Sequence, residues 1–293
     1  MDFSVVIPVL DEAAYLGACL AALDAQSVAR ERFEILVIDN GSTDGTIEIA
    51  ESWAGVQLLH QPARDPYLAR NVGIDAARGR ILAFTDADCS VAPDWLARIE
   101  AAVDQGGADI VVGRLGYPDD ADFWLQRYAD YYDAKTQWLF DTPVPDCLYG
   151  HGGNMALRAE LFERLGHFPP LPVAGDTEIL HRALASPPGA SIQYAPEMLV
   201  THLEVKRLAE MLPKLASYGR YSDAVARETR YRPLTLAERL RAMGHCIVRN
   251  RYGPVRTLGL AAVLALGLVS FEGSRQRASK LGAQIAAGEA PIR

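Results

Sequence analysis

The chain has 293 residues, of which 49% are hydrophobic, and its formal net charge is −8 at pH 7. That length allows one large domain and an appendage, and that hydrophobic content is enough for a full core. The four cysteines are scattered without a C-x-x-C spacing, which excludes the usual zinc and disulfide frameworks and favours reduced thiols in a cytosolic protein. Because the N-terminus enters a strand-like run at once, we expect no signal peptide before it.

Two apolar runs near the start of the chain predict buried strands, over residues 3–10 and 33–38. Each run is followed by a segment with apolar residues at helical spacing. Repeated strand-then-helix units with near-continuous apolar strands predict a mostly parallel sheet with helices on both faces. No glycine-rich dinucleotide or phosphate-loop fingerprint follows the first run, where the chain reads Pro-Val-Leu-Asp-Glu.

A third apolar run, over residues 81–84, leads into two carboxylates, Asp86 and Asp88. In an extended chain alternate side chains point the same way, so these two converge just past the strand end, on what we expect to be a surface loop. Carboxylates that close repel each other unless a cation lies between them. Mg²⁺ or Mn²⁺ bridging to phosphate oxygens is the usual solution. The alternative is a polar turn in which Asp88 caps the helix near Pro93.

Acidic residues end all three predicted strands. They are, in chain order, Asp11 and Glu12, then Asp39, then Asp86 and Asp88. Ligands bind such sheets outside the carboxyl ends of the strands. A purely structural interpretation does not predict this coincidence, so we favour a cation site over a polar turn.

The chain resembles the family 2 glycosyltransferases over about residues 3–202. The resemblance rests on five motifs in matching order and spacing. They read Val6-Ile7-Pro8-Val9-Leu10-Asp11-Glu12, Val37-Ile38-Asp39-Asn40-Gly41-Ser42-Thr43-Asp44-Gly45-Thr46, Ala69-Arg70-Asn71-Val72-Gly73-Ile74, Ala76-Ala77-Arg78-Gly79 and Phe84-Thr85-Asp86-Ala87-Asp88. The family usually has Asn where this chain has Asp11. The implied fold is GT-A, a Rossmann-like α/β fold with a mostly parallel central sheet flanked by helices, here followed by a C-terminal helical appendage.

The resemblance implies a site for a nucleoside diphosphate sugar. Its expected residues are Pro8, Glu12, Asp39, Arg70 and Asp86. A carboxylate at Asp39 can accept the ring N–H of a base, and Arg70 would reach the base or a phosphate unless it is an ordinary solvated helix charge. Asn71 and Gly73 are expected to position the helix that carries Arg70. Asp88, with Asp86, would hold the Mn²⁺ or Mg²⁺ that neutralises the leaving nucleoside diphosphate.

The resemblance also implies an acceptor loop and a general base. The loop is Gly152, Gly153 and Asn154, whose glycines allow a sharp turn and close approach of the backbone. Asp176 matches the family's general base, although Gly175 stands where an acid is common. On its own, Asp176 is typical of a helix N-cap. One base opposite one leaving group gives inversion at the anomeric carbon.

His202 follows the apolar segment 198–201. A lone histidine is more often structural than a ligand. Because the family often carries a histidine here, near the metal or the diphosphate, we add His202 to Asp86 and Asp88 as an expected metal ligand.

Charge divides the chain into two expected regions. Residues 1–202 carry 13 basic and 30 acidic side chains, whereas residues 203–293 carry 16 and 7. We therefore predict a catalytic domain over 1–202, with a nucleotide-sugar half at about 1–115 and an acceptor half at about 116–202. Residues 203–293 would form a basic helical region. Nucleic acid is excluded as its partner because the catalytic half is acidic and no binding motif is present.

The uncharged stretch 257–271 has two interpretations. Its fifteen residues fall short of the roughly 20 that span a bilayer. It is either a helix buried within the C-terminal region or a helix lying in the membrane interface with arginines on anionic headgroups. The second interpretation predicts a cytoplasmic enzyme that associates peripherally with the inner face of the cell membrane.

The sequence thus predicts an inverting, metal-dependent hexosyltransferase of polysaccharide biosynthesis, whose acceptor is a glycan or a lipid-linked hydroxyl. Two alternatives stay open. A nucleotidyltransferase would share the sheet and the metal carboxylates, but it should have a glycine-rich turn with Arg and Lys after the first strand. A catalytically silent nucleotide-sugar-binding subunit is disfavoured by the intact Asp86, Asp88 and Asp176.

Overall fold

The computed structural model describes residues 1–142, 144–171 and 173–286. Within them a single eight-stranded sheet has the order β3-β2-β1-β4-β7-β6-β8-β5. The strands are β1 (Phe3–Val9), β2 (Phe33–Asp39), β3 (Val56–His60), β4 (Ile81–Thr85), β5 (Cys89–Val91), β6 (Ile110–Gly116), β7 (Asn154–Arg158) and β8 (Ile192–His202). The three apolar runs are therefore strands with the predicted bounds to within one residue.

Helices cover both faces of the sheet and form a C-terminal layer. They are α1 (Leu16–Asp24), α2 (Thr46–Ser52), α3 (Pro66–Ala76), α4 (Trp95–Glu100), α5 (Phe123–Asp141), α6 (Glu160–Leu165), α7 (Gly175–Ala185), α8 (Leu208–Glu228), α9 (Leu236–Arg249) and α10 (Pro254–Ala286). Short 3₁₀ turns lie at Arg30–Arg32 and Pro145–Cys147, and α4 continues as a π-helical turn, Ala101–Gln105.

The sheet is parallel across β1 to β4 and mixed beyond them. Strands β1 to β4 pair in parallel, as predicted. Strand β7 runs antiparallel to β4, with Thr85 opposite Asn154. The beginning of β7 therefore lies at the carboxyl end of β4. This arrangement brings the glycine loop before β7 beside Asp86 and Asp88.

Two apolar layers hold the sheet between its helices. Along β1, Val5 and Ile7 pack into one layer and Val6 into the other. Gly73 lets α3 lie close to the sheet, because a Cβ there would be 2.5 Å from Val6. The amide of Asn71 exchanges hydrogen bonds with the backbone of Phe168 at 2.9 and 3.0 Å. Asn71 and Gly73 thus position α3, as expected.

The C-terminal helices pack against α5. One small core joins α5 to α8 and α10, and a second joins α5 to α9 and α10. At Gly219 a Cβ would lie 2.1 Å from the carbonyl oxygen of Phe271, so α8 and α10 approach backbone to backbone. The segment Pro254–Lys280 contains an 18-residue window with a mean hydropathy of 1.7, and 17% of that window is buried. By length and composition alone this helix is sufficient to cross a membrane, although its uncharged stretch is only the fifteen residues 257–271.

Candidate active site

The loops after β1 and β2 are joined by hydrogen bonds between their polar residues. Oδ1 of Asp11 accepts from the Thr43 amide at 2.6 Å, and the Asp11 amide donates to Ser42 Oγ at 3.0 Å. The Glu12 amide donates to Thr46 Oγ1 at 2.8 Å. Asp11 has a φ of 56°, a left-handed conformation that Asn and Asp tolerate better than most residues. The change from Asn to Asp at this position is therefore compatible with the loop.

Asp39 ends β2 as a buried, fixed carboxylate. It is 5% exposed and accepts hydrogen bonds from the amides of Ser42 at 2.9 Å and Gly41 at 3.3 Å. Burial alone would raise the pKa of Asp39, but these hydrogen bonds hold it below its usual value. Pro8 lies on the neighbouring strand, opposite Ile38. An ionised acceptor is thus present where the resemblance places the nucleotide base.

Arg70 and Asp86 form an ion pair between α3 and the end of β4. Arg70, on α3, is 5% exposed, and its Nη2 lies 2.5 Å from Oδ1 of Asp86. The guanidinium also lies over the ring of Tyr67, 5.4 Å from its centroid. Arg70 is therefore not a solvated helix charge, and it fixes the orientation of the first carboxylate of the Asp-x-Asp motif.

Asp88 and His202 meet because β5 pairs with β8, which places Cys89 opposite His202. Nε2 of His202 lies 3.3 Å from Oδ2 of Asp88. Asp88 is only 7% exposed, so the expectation of a surface loop was wrong. Burial, followed by the charge of Asp86, raises the pKa of Asp88 to about 7. Burial lowers the pKa of His202 to about 4, so its imidazole is neutral and can serve as a ligand.

The donor set of this pair fits a divalent cation. Ligand atoms of Asp88, Cys89 and His202 lie within 4.8 Å of one another. Burial raises the pKa of the Cys89 thiol, whose sulfur donates to Oδ1 of Asp88 at 3.5 Å. Within the described part of the chain, the buried Nδ1 of His202 has no hydrogen-bond partner. A carboxylate with a neutral imidazole suits Mn²⁺ and related divalent ions.

The loop at 150–153 lies directly against the ion pair. A Cβ on Gly153 would lie 2.6 Å from Oδ2 of Asp86, and one on Gly152 would lie 3.0 Å from Nη2 of Arg70. Any side chain at either position would displace these charged groups. Gly152 and Gly153 are therefore needed for close packing against Arg70 and Asp86.

Asn154 does not face the cleft. Its side chain is fully buried; Oδ1 accepts from the Trp95 indole at 2.9 Å, and Nδ2 donates to the carbonyls of Arg114 and Met198, each at 2.8 Å. The expectation that Asn154 binds the acceptor was wrong, because these partners occupy its amide. It anchors the end of the glycine loop to the core.

Asp176 is held at the start of α7 by two backbone amides. Oδ2 accepts from Gly152 at 2.7 Å and Oδ1 from Thr177 at 2.8 Å. The helix N-cap is Ala174, so the N-cap expected at Asp176 lies two residues earlier. Gly175 is required because a Cβ there would be 2.8 Å from the Tyr67 ring. Burial raises the pKa of Asp176, which suits a proton acceptor.

Three further residues reach the cleft from beyond β8. Nζ of Lys214, on α8, lies 3.2 Å from Nε2 of His202 and 2.9 Å from Oε2 of Glu204. Tyr218 lies one helical turn further on and interacts electrostatically with Asp176. Sequence reasoning assigned this segment to the appendage, and its spacing of a Lys and a Tyr four residues apart carries no distinctive signal.

This sheet, with nucleotide-side carboxylates at three strand ends and a carboxylate–imidazole pair beside them, has the architecture of a GT-A enzyme. The model of the family described as Glycosyl transferase family 2 matches residues 4–166. The chain belongs to this family and is a glycosyltransferase.

Relatives with described roles are also glycosyltransferases. The chain is 32% identical to glycosyltransferase AglE of Haloferax volcanii over 225 residues, which cover 74% of this chain and 71% of AglE. It is 39% identical over 118 residues to a PGL/p-HBAD biosynthesis glycosyltransferase of Mycobacterium tuberculosis. That match covers 38% of this chain and 45% of the relative, so the chain spans less than half of that protein.

Solved structures with the same fold include complexes with nucleotide sugars. The mannosyltransferase PcManGT from Pyrobaculum calidifontis, in complex with GDP-Man and Mn²⁺, gives a TM-score of 0.58 at 23% identity and covers 98% of this chain and 80% of its own. TarS 1–349 of S. aureus, in complex with UDP-GlcNAc, gives a TM-score of 0.54 at 16% identity. The match covers 100% of this chain and 93% of the TarS chain. At these identities the likeness establishes the fold.

Proposed function

We propose that this protein is an inverting, metal-dependent glycosyltransferase that moves a sugar from a nucleoside diphosphate to a hydroxyl group of a glycan or lipid-linked acceptor. One observation carries the proposal: the amide of Gly152 holds Asp176, and the same glycine borders the Arg70–Asp86 pair. The proposed base and the proposed donor site thus share one short loop. The motifs of a nucleotidyltransferase, the alternative considered from the sequence, have no counterpart in this arrangement.

The donor would lie along the carboxyl ends of β1, β2 and β4. Asp39 would accept a hydrogen bond from the base, because its oxygens are fixed by two amides and its pKa is held low. Glu12 and Pro8 would border the nucleotide from β1. Arg70 would orient Asp86 through their ion pair instead of contacting the base.

Asp88, Asp86 and His202 would hold a divalent cation. When bound, the cation would supply positive charge that stabilises the leaving nucleoside diphosphate. The buried carboxylate–imidazole pair supports this assignment, and the Mn²⁺ in the PcManGT complex makes Mn²⁺ the first ion to test. Oδ2 of Asp86, the oxygen that does not face Arg70, lies against Gly153, where a side chain would displace it.

Asp176 would act as the general base. Its carboxylate takes the proton from the acceptor hydroxyl while the oxygen of that hydroxyl attacks the anomeric carbon. The bond from that carbon to the phosphate oxygen breaks, and the nucleoside diphosphate leaves from the opposite face. Attack and departure on opposite faces invert the configuration. The amides of Gly152 and Thr177 keep the carboxylate in one orientation throughout.

A thermal-shift screen with UDP-, GDP- and dTDP-sugars, each with and without Mn²⁺, tests the donor class. A ligand that binds only the native state raises the melting temperature. We expect one nucleotide to give a clear, Mn²⁺-dependent shift. Slow release of free sugar from that donor would distinguish an enzyme from a catalytically silent binding subunit, and absence of any shift would contradict the proposed function.

The C-terminal helices support peripheral membrane association as part of this proposal. Apolar side chains on the outer faces of α9 and α10 are solvent-exposed: Leu236, Leu240, Val248, Val255, Leu258, Leu266 and Val269. On α9, three of them recur at intervals of four or eight residues and so share one face. Arginines such as Arg241, Arg251 and Arg256 are exposed on the same helices or the turn between them. Such a surface fits an anionic bilayer, where a lipid-linked acceptor would be presented.

A further inference from the structure

Helix α8 returns the chain to the proposed cation site. His202 ends β8, and twelve residues later Lys214 lies beside it, with Nζ 3.2 Å from Nε2 of His202. The same ammonium lies 2.9 Å from Oε2 of Glu204. Lysine has three donors, so one N–H bond remains for another partner. Lys214 is thus a cation placed next to the pair that would ligate a metal ion.

Tyr218 is a second polar side chain on the face of α8 that carries Lys214. It lies four residues after Lys214, on the same side of the helix. Desolvation, followed by the negative charges of Asp176 and Asp86, raises the pKa of Tyr218 to about 12, while half of its surface stays open to solvent. The side of α8 that carries Lys214 therefore also carries a phenol that interacts electrostatically with Asp176 and Asp86.

The charges around Lys214 constrain what it can do. Glu12, Asp86, Asp88 and Glu204 interact electrostatically with one another here, and the charge of Lys214 acts on Glu12 and Asp88. Without a ligand, the ammonium offsets part of this negative charge. A divalent cation bound between Asp88 and His202 would repel the ammonium at such short range. An anionic diphosphate arriving beside that cation would attract it.

We propose that Lys214 binds the diphosphate of the donor: on donor binding its ammonium leaves His202 and contacts a phosphate oxygen, which would make Nε2 of His202 available as a ligand of the cation. This inference rests on the proposed function. Lys214 then opposes metal binding when no nucleotide is present and favours it when a diphosphate is present. A residue outside the part of the chain that the family model matches would thereby couple donor binding to metal binding.

Titration calorimetry on the full chain tests the role of Lys214. The ligands are UDP, GDP, dTDP and the corresponding monophosphates, each titrated in EDTA and in Mn²⁺. In Lys214→Met, the preferred diphosphate should bind about 10- to 100-fold more weakly, the range for one hydrogen bond to a charged group. The affinity for the corresponding monophosphate should fall less than threefold. Mn²⁺ alone should bind more tightly than to the wild type. The control is Lys206→Met, which removes the same charge from an exposed lysine paired with Asp120.

The role of Lys214 would be overturned if Lys214→Met lost affinity equally for the diphosphate and the monophosphate, or lost no more affinity than Lys206→Met. Either result would leave the proposed function intact. A wild-type protein that binds none of the diphosphates would overturn both. If Lys214→Met fails to fold, Lys214→Arg keeps the charge and should retain the preference for diphosphate over monophosphate. Loss of that preference in a folded Lys214→Arg, with circular dichroism unchanged, would also overturn the proposal.

Discussion

The strand-end loops and the C-terminal helices hold their polar residues in opposite ways. After β1, β2 and β4, the carboxylates are fixed by nearby amides or by a buried arginine, as at Asp39 and Asp86. On α8 to α10, the ammonium of Lys214 has partners for two of its three N–H donors, and large apolar residues such as Leu258 face solvent. The first region is preorganised for one ligand. The second presents large apolar side chains to solvent, and the roles proposed for it depend on a ligand or a membrane surface.

The largest effect should follow a change in the preorganised region. Asp88→Asn removes the charge that would hold the cation, and we expect transfer to fall by at least about 10³-fold, equivalent to several kcal/mol of lost stabilisation of the leaving group. The measurement is turnover with saturating Mn²⁺, with circular dichroism to confirm folding. Asp94→Asn, at an exposed aspartate paired with Arg98, is the matched control. Near-wild-type turnover of Asp88→Asn in the presence of EDTA would show that the metal mechanism is wrong.

The next largest effect concerns the base. Asp176→Asn preserves the shape of the side chain but cannot take up a proton, and loss of a general base typically costs about 10²–10⁴-fold in rate. Binding of donor and Mn²⁺, measured by calorimetry, should survive because Asp176 contacts neither Asp88 nor His202 in the hydrogen-bond network. A loss of donor affinity that matches the loss of rate would instead place Asp176 in the donor site.

The pH profile sharpens the same assignment. Burial raises the pKa of Asp176 above the ordinary aspartate value of 3.8. A base must be deprotonated, so kcat/KM should fall as the pH drops through this raised pKa, by about tenfold per pH unit below it. Measured with saturating Mn²⁺, so that protonation of Asp88 does not limit the rate, the residual activity of Asp176→Asn should lack this acid limb. An identical limb in the wild type and in Asp176→Asn would assign the titration to another group.

The smallest effect should come from the exposed region. In Leu258→Gln, binding to anionic liposomes should weaken about fivefold, because burial of a leucine contributes about 1.5–3 kcal/mol when complete and less in the interface. Arg256→Gln should weaken binding mainly at low salt, since each basic residue near an anionic leaflet contributes about 1 kcal/mol that salt screens. Arg98→Gln, on α4, is the matched control for charge. A wild-type protein that ignores anionic liposomes at low salt would show that α9 and α10 do not bind membranes.

The preorganised region was predictable because its signals are local. Each strand is an apolar run of five to seven residues that ends at an acid, so β1, β2 and β4 and the positions of Asp39 and Asp86 could be read directly from the sequence. The pairing of Arg70 with Asp86 was not predicted. It joins α3 to the end of β4, and no sequence spacing encodes that distance.

The remaining features depend on tertiary packing. Asn154 was expected to contact an acceptor, but the antiparallel pairing of β7 with β4 buries it beneath the loop. Asp88 was expected on the surface, but the pairing of β5 with β8 covers it. Lys214 was missed because α8 turns back over the strand ends, and composition assigned it to a basic tail.

The anomeric configuration of the product tests the central claim most directly, namely that Asp176 acts as the single base opposite the leaving diphosphate. The donor identified by thermal shift is incubated with the enzyme and an acceptor, and proton NMR of the first product gives the configuration at the transferred sugar. Inversion relative to the donor is the predicted result. Retention of configuration would contradict it, because a single base that attacks through the acceptor hydroxyl cannot preserve the configuration.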